Sequence, residues 1–379
     1  MSTVSKNKKS GASVILGAFL SIAFLLFLLR SDIAIDYMKI GLKLCSGTVI
    51  PSLFPFMVVS SLIVSSGIGI RICRAFAYPA RLLFGVSSGG ACAFILGALC
   101  GFPIGARVVA DMYDSGEISK SEAERILTFC NNPGSAFVTS AVGVSLFGSL
   151  GAGVALYACV ILSSVIVGVA MRLFFKSKPC ESRSTTSALQ VCAASSRGVG
   201  TLVTNAIRES ALSMLTVSAT VVFFSSLVGC VGASLSALGA PDSVIAVIFG
   251  IFEISSGVSA LSALHSPISL CLCAAALGWS GLSVHLQIMA VCSGRNFSFA
   301  PYFIAKMMQG AVCAALVFAL TRVFPSVTES FAPVGVIDTE KYRIGNFLYV
   351  ITIFCIFAIA SALISALEKA RKNRGTKKR

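Results

Sequence analysis

The sequence predicts an all-α integral membrane protein of about eight transmembrane helices and two re-entrant hairpins, arranged as an inverted repeat. Three observations predict it. Of the 379 residues 56% are hydrophobic and 12% charged, against roughly 25% charged in an ordinary soluble domain, and mean hydropathy is +0.90. Apolar runs close to the roughly 20 residues that cross a bilayer recur at 12–29, 46–66, 135–148, 151–175, 211–236, 266–292, 300–321 and 346–367. Finally, two apolar stretches are interrupted in corresponding places by glycine, proline and small polar residues. The first is Gly97–Gly105, completed by Cys130–Ser135; the second is Gly250–Gly257, completed by Ser280–His285. Lipid offers the backbone no hydrogen bonds, so broken helix is tolerated only within protein or against a wet cavity. A matched pair of breaks is the sequence mark of a transporter's binding site.

Charge sets the path of the chain. The net charge of +15 lies at Lys6, Lys8 and Lys9, at Arg71, Arg74 and Arg81, between Arg172 and Arg208, and from Lys369 to Arg379. These positions flank apolar runs and have no interleaved aromatic platform, so they mark cytosolic loops and not a nucleic-acid surface. Residues 1–35 hold an N-terminal tail and a first helix, uncleaved because Arg30-Ser31-Asp32 follows it and not a small-residue cleavage site.

The next unit, 36–175, starts with helix 2 (about 44–67), kinked by Pro51 and Pro55, and a hairpin over 86–106 that enters from the cytosol. A polar connector over 107–128 has a turn at Asp114-Ser115-Gly116 and a capping box from Ser119 to Glu122. Its charges, Arg107, Asp111, Glu122, Glu124 and Arg125, read as a solvated face, with a cytosolic gate as the alternative. Helices at about 129–148 and 151–175 complete the unit, and 176–207 is a cytosolic linker. The second unit, 208–322, contains a helix at about 209–236 and a hairpin over 243–264 between Pro241 and Pro267. Helices at 268–292 and 300–321 follow. Residues 323–379 supply an external loop, a last helix and a basic cytosolic tail. Phe56–Ile63 resembles Val221–Val228, and the two segments run in opposite directions through the membrane, which makes the repeat an inverted one.

Several side chains could carry chemistry. Glu253 is the only acidic residue between Asp242 and Glu329 and lies in an apolar run, so it either couples a proton or organises its own hairpin. Phe102, Pro103 and Gly105 form a hairpin tip whose half-helix ends could face an anion. Asn131 and Asn132 precede Pro133, which biases Asn132 away from helix, while Gly134 and Ser135 allow close approach of a ligand. The alternative for the asparagines is a turn that caps one helix and starts another. Ser255, Ser256, Ser283 and His285 are the second-half counterparts, suited to a small polar solute or to structural bonding. The fourteen cysteines lie mostly in apolar runs as small hydrophobes, without metal-ligand spacing, so no metal or cofactor is expected. No HExxH, G-x-S-x-G, paired catalytic carboxylates or P-loop is present, which argues against an enzyme and against direct use of ATP.

Gly101–Ala106 through Asp111, Gly116–Ile118, Glu122–Arg125 and Phe129–Gly134 resemble the YlbJ-type sporulation integral membrane proteins, as do Glu253–Gly257 and Gly278–His285. The resemblance covers about 35–322. It implies a nucleoside-recognition "Gate" domain, shared distantly with concentrative nucleoside transporters and with the membrane domain of the ferrous-iron transporter. It also implies transport during sporulation: dipicolinate leaving the mother cell across the outer forespore membrane. The expectation is therefore a multi-pass carrier of a small organic anion working by alternating access. The bilayer, a coupling cation or proton, and a second copy of the chain are its expected partners. A nucleoside or purine carrier and a non-transporting scaffold for spore-envelope assembly are the alternatives.

Overall fold

The computed structural model describes residues 17, 20–65, 68–114, 116–174, 199–264 and 268–323, and these are mostly helical, with no strand among them. The final helix expected at 346–367 and most of the 176–207 linker lie outside the described residues. Four described helices are long and apolar enough to cross a membrane, or five if a pair bent by 97° counts as one span.

Helix α1 (Leu20–Leu29) is followed by α2 (Ser31–Leu44), which runs through a wider π-helical turn (Cys45–Val49) into α3 (Ile50–Ser65). Pro51 has no N–H to give, and the widened turn just before it carries the rod on, with Ile50 N–H bonding Cys45 O. Helix α4 (Ile68–Phe84) bends sharply into α5 (Ser88–Cys100), which breaks at Gly101 and returns as α6 (Ile104–Asp114). Helix α7 (Lys120–Cys130) stops at Asn131; a helical segment with a π-helical stretch at Phe137–Val144 and then α8 (Leu150–Phe174) complete the first half.

The second half opens with α9 (Val199–Ala237), a helix that already includes the last residues of the stretch expected as linker. Helices α10 (Asp242–Phe252) and α11 (Ile254–Ser262) fold back on each other at Glu253. Then α12 (Ser269–Trp279) breaks at Ser280-Gly281 into α13 (Leu282–Val291), and α14 (Ala300–Val323) closes the described chain.

Small residues let these helices approach, since lipid gives no hydrophobic push between them. At Gly278 an added Cβ would lie 2.7 Å from Gln309 O and 2.8 Å from Gly310 Cα, so α12 and α14 touch backbone to backbone. Gly41 likewise brings α2 up to α9, where an added Cβ would lie 3.2 Å from Val222 Cα and Ser226 Oγ donates to Ala34 O at 2.9 Å.

The connector charges are not all solvated. Ser119 Oγ caps α7 by accepting from Glu122 N–H at 3.2 Å, as expected, but Glu122 and Arg125 are buried. They serve the α4–α5 elbow, where helix ends leave backbone groups without partners. Glu122 Oε1 accepts from Ser87 N–H at 2.6 Å, and Arg125 Nη2 donates to Gly85 O at 2.6 Å. Arg172 Nη1 bonds Leu82 O from the other side. The polar pattern of 107–128 thus arises partly from an internal bend and not only from water.

Candidate functional site

The two halves contain the same kind of contact. In the first, α5–α6 and the end of α7 cross at their breaks: a Cβ on Gly101 would lie 2.7 Å from Gly134 N. In the second, α12–α13 crosses α10–α11: a Cβ on Gly281 would lie 2.9 Å from Ile254 N. Both glycines have positive φ, +84° and +81°, so close approach and backbone conformation each demand glycine.

Carbonyls freed at the breaks are recaptured by side chains from neighbouring elements. Ser135 Oγ donates to Leu99 O at 3.1 Å and Tyr157 Oη to Ala98 O at 2.8 Å, which closes the end of α5. Trp279 Nε1 does the same for Ile251 O at 3.0 Å, near the end of α10.

Both crossings face one cavity. Its polar side is lined by Gly101, Gly134, Glu253, Ser255, Ser283 and Gln287; its apolar wall includes Leu53, Phe102, Phe137, Val217 and Val221. Three helical segments start at its rim: the one after Gly134, α11 and α13; α6 starts at Ile104, beyond the lining Phe102. The first-turn N–H groups of a helix lack intrahelical partners and carry partial positive charge, so the rim collects three anion-favouring ends. One is already filled. Glu253 accepts from Ser255 N–H at 3.0 Å and from Ser256 N–H at 2.6 Å, one bond to each carboxylate oxygen. The cavity has about 30 Å³ of water-accessible space, room for a water or two and none for an organic solute.

The other expected site residues are elsewhere. Pro103 is part of the tip without lining the cavity, and Gly105 packs on Cys130 O. Asn131 and Asn132 cap the end of their own helix, donating to Leu127 O at 3.2 Å and Phe129 O at 3.0 Å. Ser135 closes α5, and Ser256 Oγ pairs with Ser225 Oγ at 2.7 Å. His285 is buried, with Nδ1 2.7 Å from Tyr302 Oη and its ring edge-on to Trp279.

Sequence reasoning missed Lys306 and Gln309. Both are buried on α14, at i+4 and i+7 from Tyr302, so one face of an apolar helix is polar. Lys306 Nζ donates to Asn131 O and to Gln309 Oε1, each at 2.8 Å, and Gln309 Nε2 donates to Asn132 Oδ1 at 2.8 Å. The signal was available, because a lysine inside a membrane helix marks a functional position by default.

A second link joins the halves away from the cavity. Arg295, after α13, donates through Nε and Nη2 to the two carboxylate oxygens of Asp114 at 2.9 and 2.5 Å. Beside it, Ser298 N–H donates to Glu124 Oε1 at 2.7 Å. The Arg295 hydrogen bonds hold the Asp114 carboxyl below its ordinary 3.8.

The Bacillus subtilis (strain 168) sporulation integral membrane protein YlbJ is 28% identical over 336 residues, which cover 79% of this chain and 82% of that protein. The chain is similar to a YlbJ-type protein. This likeness supports the resemblance drawn from the Cys-Asn-Asn-Pro-Gly and Glu-Ile-Ser-Ser-Gly elements, and with the apolar helices it makes the chain a multi-pass membrane protein. No family model and no solved structure matches the chain.

Proposed function

We propose that the chain is a sporulation membrane transporter that carries a small organic anion by alternating access. The YlbJ-type likeness supports a sporulation role, and the resemblance of the motifs supports dipicolinate leaving the mother cell across the outer forespore membrane as the cargo. The observation that carries an anion is the rim of three helix starts around one cavity, one of them holding the carboxylate of Glu253. An incoming carboxylate would be recognised by the same kind of backbone N–H groups.

Alternating access rests on the paired crossings. Each behaves as a tight unit, and the cavity lies between them. The Arg295–Asp114 and Glu124–Ser298 links join α6 and α7 of the first half to the turn after α13, and they would part when that side opens. The corresponding crossings support an inverted repeat of the Gate type. A nucleoside or purine would ask for several free amide and carboxyl ligands facing the cavity. Gln287 lines it, but the Glu253 carboxylate is taken by the Ser255 and Ser256 N–H groups, and Asn131, Asn132 and Gln309 are engaged with Lys306 and with backbone.

The test is spore dipicolinate content in a deletion strain complemented with wild type or Glu253→Gln, with the amount of protein in the membrane checked. Low dipicolinate in the deletion strain despite normal synthesis, restored by wild type and not by the variant, is the expected result. Normal content in the deletion strain would sink the cargo assignment and favour a scaffold.

A further inference from the structure

Lys306 is a fully buried amine on a helix that crosses the apolar interior, and among the described residues none of the ion pairs includes it. Its bonded partners are neutral oxygens: Asn131 O, where α7 stops, and Gln309 Oε1. A helix C-terminus carries partial negative charge, and loosened carbonyls at a broken helix are where a membrane carrier holds a metal cation. More oxygen lies at the same break. Asn132 Oδ1 accepts from Gln309, and Asn131 Oδ1 is buried with no hydrogen-bond partner. Neutral carbonyl and amide oxygens of this kind suit an alkali-metal ion, as they do in channel filters. Here the positive charge among them is tethered to α14.

We propose that the Lys306 ammonium is a built-in cation: it takes the place at the end of α7 where a sodium or potassium ion would otherwise bind. A free cation cannot share the position, because like charges at contact distance repel strongly. The broken end of α7 is therefore neutralised without any ion from solution, and α14 is pinned to the first crossing through the Lys306–Asn131 and Gln309–Asn132 bonds. That this serves transport rests on the function proposed above; the occupancy of the break does not.

The test is thermal unfolding of the purified full-length chain in sodium, potassium or choline chloride at equal ionic strength. The wild-type midpoint is expected to be the same in all three salts. Lys306→Ala is expected to unfold at a lower temperature in choline and to recover part of the loss in sodium or potassium, as the freed oxygens accept an ion. Lys306→Gln, which keeps donors without the charge, is expected to show the same salt response from a smaller loss. An alkali ion that raises the wild-type midpoint over choline by as much as it raises that of Lys306→Ala would overturn the proposal, since the ion would then bind regardless of the lysine. So would variants whose loss is identical in all three salts, since Lys306 would then be a packing and hydrogen-bonding residue only. If neither variant accumulates, the wild-type series decides. Normal dipicolinate in a deletion strain would remove the transport reading and leave this result standing.

Discussion

Gly101 lies against Gly134 so closely that a Cβ on Gly101 would lie 2.7 Å from the Gly134 nitrogen. Two broken helices meet there with nothing between them. The matching meeting of Gly281 with Ile254 builds the other side of the central cavity.

Gly101→Ala is expected to lower the unfolding temperature sharply, because it adds a clash to a backbone conformation costing a non-glycine residue about 1–3 kcal/mol. Gly47→Ala is the control, as open space surrounds that helical glycine, and it should be neutral or slightly stabilising. Thermal unfolding of the two variants in detergent separates them; equal midpoints would contradict the crossing.

Glu253→Ala leaves the Ser255 and Ser256 N–H groups without their buried acceptor, at a cost of about 1–3 kcal/mol. Glu253→Gln keeps one acceptor oxygen and should lose less. The ranking of midpoints, wild type above glutamine above alanine, is the readout.

Glu122→Leu is expected to destabilise by a similar amount, about 1–3 kcal/mol, since the Ser87 N–H at the α4–α5 elbow loses its partner. A variant as stable as wild type would return Glu122 to the status of a surface residue.

The Asp114–Arg295 pair gives stability an acid-side dependence. The folded carboxyl lies below its ordinary 3.8, so the unfolded chain takes up the proton first as pH falls. The contribution is complete above the ordinary value and is lost as pH drops through the folded one. The midpoint gap between wild type and Asp114→Asn should be constant near neutrality and close in acid. Asp114 is half exposed, so the gap is expected to be modest and to shrink in high salt.

Much of the site could be read along the chain. The breaks at Gly101, Asn131–Gly134, Glu253 and Ser280-Gly281 were visible because glycine, proline and a lone carboxylate stand out against apolar residues. The direction in which those residues point was not visible. Asn131 and Asn132 turn back to cap α7 and meet α14, whose lysine passes unnoticed in a run averaged for hydropathy. Glu122 and Arg125 carry the sequence pattern of a wetted face and are buried, because a bend some forty residues earlier needs their charges.

By itself, then, the sequence determined a membrane-embedded helical chain, where its helices fail, and that Glu253 sits within the apolar interior. These are one-residue properties: hydropathy, backbone freedom and charge act wherever a residue lies. Only the tertiary structure decided that the breaks cross in pairs around one cavity, that Glu253 caps α11 and that Lys306 serves the end of α7. Those facts depend on which partner each unsatisfied group meets, and hydrogen bonding fixes that choice across more than 170 residues of chain.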